Sequence, residues 1–152
     1  MSLALGTLRP PPGARRIAVA LLYGTICHLV FAAAVIAMIW AMFFGMSRSV
    51  GSVPQPWSFG ANALLLVQFP LMHSILLTGR GQRALARIAP FQFGRTLSTT
   101  SYAIIASLQL LALFAFWTPS GVIWWQAEGW VFVVICGLYT ASWLLLIKAS
   151  YD

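Results

Sequence analysis

Apolar residues run along this chain in long unbroken stretches instead of alternating with polar ones. Four stretches are long enough to cross a hydrocarbon core, which takes ~20 helical residues. They run from Ile17 to Met46, from Phe59 to Thr78, from Ser101 to Trp117 and from Trp130 to Ile147. The first is long enough that it must tilt or protrude, and it exceeds the roughly 7–15 residues of a secretory signal's apolar region. The second contains Pro70. The third is preceded by Ser98-Thr99-Thr100-Ser101, which offers helix-capping hydroxyls, and is stopped by Thr118-Pro119-Ser120-Gly121. The pattern predicts an all-α, polytopic integral membrane protein. Residues 1–16 precede a single four-helix transmembrane domain over 17–152.

Composition agrees. Of 152 residues, 61% are hydrophobic and 7% charged, against about 25% charged in a soluble domain, so neither a soluble globule nor a disordered tail fits. The net charge of +7 does not point to nucleic acid. Eight of the nine basic residues precede residue 96, in short clusters between the apolar runs. That is how a membrane protein's loops are charged, and the expected surroundings are a lipid bilayer. Cys27 and Cys136 both lie inside apolar runs and say nothing of redox compartment.

With four spans, Arg9, Arg15, Arg16, Arg80, Arg83, Arg87, Arg95 and Lys148 share one side, and Arg48 lies on the other beside Glu128. The positive-inside rule then puts both termini in the cytoplasm, in a bacterial inner membrane. Trp40, Trp57, Trp117, Trp124, Trp125 and Trp130 fall at the opposite boundary, where an amphipathic ring is well placed; Trp143 is near the inner one. In the second loop, Arg80, Arg83 and Arg87 stand at i, i+3 and i+7. They predict a short helix with one basic face, suited to an anionic leaflet.

Polar residues within spans mark packing seams or sites, because lipid cannot satisfy them. In the first span, Gly24, His28, Phe31, Val35, Met38 and Met42 form one stripe with Tyr23 and Cys27 beside it. Gly24 is expected to allow close helix approach, and Gly24→Leu to separate the helices. In the second, Asn62 and His73 share a face while Gln68 points about 140° away, which predicts neighbours on two sides. Pro70 frees the Leu66 carbonyl, for which Gln68 or a neighbouring helix is the expected partner. Tyr102 and Gln109 stand in the third span, and Cys136, Thr140 and Ser142 in the fourth.

His28 and His73 are weak candidates for cofactor binding, and haem is disfavoured. His28 lies ~17 Å from the inner end of its helix and His73 ~8 Å from its own, a poor match for the two axial ligands of one haem. A metal site is not expected, since no carboxylate lies in any span. No carboxylate pair, CxxC, phosphate loop or Ser/His/Asp set is present, so no catalytic residue is assigned.

Three stretches together resemble one family. Tyr23-Gly24-Thr25-Ile26-Cys27-His28-Leu29-Val30-Phe31, running on to Met42 and Gly45, is similar to the first helix of membrane-bound methanethiol S-methyltransferases. These group with NnrU-like and isoprenylcysteine carboxyl methyltransferase-like membrane proteins. Leu71-Met72-His73-Ser74, then Arg83 and Ala86-Arg87-Ile88-Ala89-Pro90, resembles that family's Gln-His-Ser segment and basic loop, with Met72 in place of the glutamine. Thr100-Ser101-Tyr102 and Trp117-Thr118-Pro119 resemble its next span.

The resemblance implies S-adenosylmethionine-dependent alkylation of a small thiol or other hydrophobic nucleophile. It also implies that the cofactor site, with an Arg-His-Pro segment and a Glu-Glu pair, belongs to a C-terminal half. Those motifs are absent here, so the chain is expected to be inactive alone. One alternative is a non-catalytic subunit of a larger respiratory or photosynthetic complex. Another is a haem-binding NnrU-like protein, a group that includes a haem-dependent carotene isomerase.

Overall fold

The computed structural model describes residues 13–88, 94–123 and 125–151. Five helices account for most of them: α1 (Ala14–Phe43), α2 (Trp57–Leu77), α3 (Gly79–Ile88), α4 (Gly94–Phe116) and α5 (Gly129–Tyr151). There is no strand among the described residues. α1, α2, α4 and α5 are each long and apolar enough to cross a membrane, so the expectation of four spans holds. Arg9, Pro90, Trp124 and Asp152 lie outside the described residues, as does the side chain of Arg95.

The helix ends differ from the expected ones for local reasons. α1 begins at Ala14, so Arg15 and Arg16 form its first turn. It closes at Phe43 because Gly45 takes a left-handed conformation, φ +57°. The Met46 N–H then donates to the Ala41 carbonyl at 2.7 Å and the Gly45 N–H to Met42 at 3.1 Å, a Schellman cap. α4 starts at Gly94, seven residues before the expected Ser101. The Ser101 hydroxyl does not cap; it turns back one turn to the Leu97 carbonyl, at 3.0 Å. The basic loop forms the short helix its arginine spacing predicts. Thr78 caps it, its Oγ1 accepting from the Gly81 N–H at 3.1 Å.

α4 is the hub, with α1, α2 and α3 all packed on it. The inward stripe of α1 is Tyr23, Cys27, Val30, Ala34 and Ala41, and Ala34 and Ala41 are almost completely buried. Ser101 and Ser107 are buried on α4. Small residues on both helices let the backbones approach closely, which is how helices associate when lipid is as apolar as leucine.

The expected seam at Gly24 is not where α1 packs. A Cβ there would meet no atom within 4 Å, and Phe31 and Met42 on the same stripe are exposed. Tight backbone approaches occur at Gly81, whose Cβ would fall on the backbone of Ile75 and Leu76, and at Gly51, against Phe116 and Trp117.

α5 stands apart. No residue of its apolar stretch is buried. Tyr139 fastens it to α1, its hydroxyl donating to the Ile39 carbonyl at 2.7 Å and its ring meeting Phe43 edge-on at 5.7 Å.

Candidate functional site

Three polar bridges cross between α2 and the α4 region, in opposite chain directions. Next to α3, the Tyr102 hydroxyl hydrogen-bonds His73 Nδ1, and the His73 ring also lies against Phe69. At mid-depth, Gln68 and Gln109 bond each other. At the far end, Asn62 Nδ2 donates to the Thr118 carbonyl at 2.8 Å, and the Thr118 N–H returns the bond to Asn62 Oδ1 at 2.9 Å. Spacings of six and five residues on α2 place the bridges ~9 and ~7.5 Å apart in depth. Asn62, Gln68 and His73 thus all bond on the α4 side. α2 does pack against two neighbours, α3 and α4, but the polar side chains on its two faces both bond on that one side. Gln68 bonds across to α4, not back to Leu66.

A fourth bridge joins α4 to α1, with Tyr23 Oη and Ser101 Oγ 2.7 Å apart. Ser101 and Tyr102, adjacent in sequence, therefore hold α1 and α2 respectively. This cluster of Tyr23, Ser101, Tyr102 and His73 lies at the α3 end of the bundle. Of the expected residues, it brings together Tyr23, His73 and Tyr102, as the mid-depth bridge brings together Gln68 and Gln109.

The other candidates disperse. His28 is exposed, and its Nδ1 donates to the Gly24 carbonyl of its own helix at 2.7 Å; His73 is engaged with α4, so the two rings serve separate neighbours. Cys27 and Cys136 are both half-buried and stand outside any disulfide. Thr140 and Ser142 bond carbonyls within α5, at 2.8 Å each. No three His, Cys, Asp or Glu side chains cluster among the described residues. Thr118 and Tyr139 were invisible as bridging residues in the sequence. Thr118 reads there only as a helix stop, and Tyr139 is one apolar-run aromatic among many.

At the far end a cleft of about 730 Å³ opens between α1 and α5. Its lining includes Phe43, Arg48, Trp125, Phe132 and Tyr139. The Arg48 guanidinium stacks 4.2 Å over the Phe44 ring. The walls of the cleft are mainly apolar, with Ser47 and Gln126 among them and Arg48 as the one cation of the lining.

No carboxylate among the described residues stands at the α3 end to face the sulfonium of S-adenosylmethionine. A sulfonium cation and ribose hydroxyls call for carboxylate or carbonyl acceptors. The α3 end instead presents Arg80, Arg83 and Arg87, and the acid among the described residues, Glu128, directly precedes α5 near the opposite end.

A bundle of four apolar helices stitched by interhelical polar pairs is a multi-pass membrane protein. Among curated proteins, the chain is similar to methanethiol S-methyltransferase 2 of Bradyrhizobium diazoefficiens, 28% identical over 90 residues, covering 59% of this chain and 33% of that one. It is also similar to the methanethiol S-methyltransferase of Crocosphaera subtropica, 24% identical over 139 residues, covering 86% of this chain and 52% of that one. The chain therefore spans between a third and about half the length of these relatives. No protein-family profile matches it, and no solved structure does. Fold and comparison together give a multi-pass, membrane-type helical bundle similar in sequence to part of the methanethiol S-methyltransferases.

Proposed function

We propose that these residues form the membrane-embedded portion of an S-adenosylmethionine-dependent methyltransferase acting on a small thiol or another hydrophobic nucleophile. On this reading the cofactor-binding and catalytic groups come from residues other than those described, and the chain is inactive without them. The observation that carries it is the similarity running through 86% of this chain while spanning 52% of the C. subtropica enzyme. The lack of a carboxylate at the α3 end among the described residues supports the division of labour. The arginine distribution supports a cytoplasmic membrane with both termini inside. A small uncharged thiol partitions into lipid, so the bundle's role is to anchor the site where such a substrate leaves the bilayer.

A second reading, a non-catalytic subunit of a larger membrane complex, is favoured by α5, which presents an unburied apolar surface on nearly all sides. One experiment separates the two. Membranes containing the chain are given S-adenosylmethionine and methanethiol, with and without the part of the C. subtropica enzyme that the similarity does not cover. Dimethyl sulfide formed only when both parts are present supports the methyltransferase reading. No product in either case, with the chain purifying in fixed ratio with other membrane proteins, replaces it with the subunit reading.

A further inference from the structure

The arginine-bearing helix α3 sits differently from what its sequence alone implies. An amphipathic helix lying on a leaflet turns its apolar face into lipid. Here that face is turned into the protein: Leu85 is completely buried and Gly81 is buried beside it. Three contacts fix the helix in place. Thr78 caps its first turn, Gln82 Nε2 donates to the Leu76 carbonyl at 3.3 Å, and Gly81 lies so close to Ile75 and Leu76 that no Cβ fits.

The opposite face is free and cationic. Arg80, Arg83 and Arg87 are exposed and, with Ala84, line a shallow cleft of about 290 Å³. Arg83 Nε donates to the Gly79 carbonyl at 3.1 Å, which steadies its guanidinium over the helix N-terminal turn. No acidic side chain among the described residues is at this end of the bundle. Three like charges held on one rigid helix face repel each other and gain from a shared anion. Guanidinium groups match phosphate oxygens in pairs, which ammonium groups do not. α3 follows the end of a membrane span, at Leu77, by a single residue, so the cleft lies at headgroup depth. Ile88, 65% exposed, stands between the arginine face and the buried face and offers an apolar contact there.

We propose that the Arg80–Arg83–Arg87 face of α3 is a fixed binding site for the phosphate of an anionic phospholipid headgroup. The site is independent of any methyltransferase activity. A phosphate ester without a compensating cation suits it; the choline of a zwitterionic lipid is repelled by the same three charges.

The test is lipid retention by the purified chain in neutral detergent, measured by native mass spectrometry with phosphatidylglycerol or phosphatidylcholine added. The expected result is one tightly held phosphatidylglycerol per chain, retained ~10-fold or more over phosphatidylcholine. R80Q/R83Q/R87Q abolishes the preference, R15Q leaves it intact, and R80K/R83K/R87K weakens it, since charge is kept but paired hydrogen bonds are lost. Equal retention by the glutamine variant, or unchanged retention by the lysine variant, overturns a built site in favour of diffuse attraction. Displacement of the lipid by millimolar inorganic phosphate overturns the commitment to a lipid and makes free phosphate the ligand. Because all three side chains are exposed, circular dichroism of the variants is expected to match the parent protein.

Discussion

Gln68 and Gln109 face each other across the middle of the α2–α4 pair, and each side-chain amide donates to the other's main-chain carbonyl, at 3.0 and 3.2 Å. The Gln109 amide also reaches Gln68 Oε1 at 2.8 Å, while Gln109 Oε1 is buried without a partner. A reciprocal pair at this depth ties two backbones together where no water is available to substitute.

Removing one member therefore strands the other. Gln68→Leu or Gln109→Leu is expected to destabilise the bundle by ~1–2 kcal/mol, and the double substitution by less than the two summed. Unfolding titrations of the four proteins in mixed micelles measure the coupling; strict additivity would count against the pairing.

Glycine positions give a contrast of opposite sign to the sequence expectation. Gly24→Leu is expected within ~0.5 kcal/mol of the parent because the added side chain enters open space. Gly81→Ala, with its Cβ 2.3 Å from the Ile75 carbonyl, is expected to cost ~1–3 kcal/mol or more by overpacking. Thermal unfolding in one detergent ranks them.

The two histidines should separate in the same way. His28→Ala removes an exposed ring bonded within its own helix, so little change in unfolding temperature is expected. His73→Ala deprives the Tyr102 hydroxyl of its partner at a half-buried position, and a loss of ~1–3 kcal/mol is expected. Melting both variants beside Tyr102→Phe checks that His73 and Tyr102 act as a pair.

Tyr139→Phe keeps the ring contact with Phe43 but removes the bond to Ile39. Interhelical hydrogen bonds in membranes average about 0.6 kcal/mol, so global stability should barely move. Hydrogen exchange of α5 should nonetheless quicken relative to α4; equal protection would mean that other contacts hold α5.

The spans and the basic helix were legible in the sequence because their signals are lengths and charges. Ile17–Met46 and Ala14–Phe43 differ at their ends through one capping glycine and one turn. The packing face of α1 was not legible. Apolar residues surround this helix on all sides, and a bundle interior is no more apolar than lipid, so periodicity cannot mark the buried stripe. Ala34 and Ala41 are buried for being small, a property many residues of α1 share. Gly24 attracted attention as the smallest residue near a histidine, yet the neighbouring column of Tyr23 and Cys27 faces inward. For the candidate site, His73 and Gln109 stood out as polar residues in apolar runs. Their partners depended on how α2 and α4 align, which no local pattern encodes.

The bridges between α2 and α4 also set an order of assembly. Asn62, Gln68 and His73 emerge from the ribosome 56, 41 and 29 residues ahead of Thr118, Gln109 and Tyr102. At synthesis rates of ~5–20 residues per second, they wait roughly 1–11 s for their mates. During that interval α2 carries three unsatisfied polar side chains, so its release into lipid is opposed until α4 arrives. The two helices are therefore suited to leave the insertion machinery together, with α5 joining an already closed core.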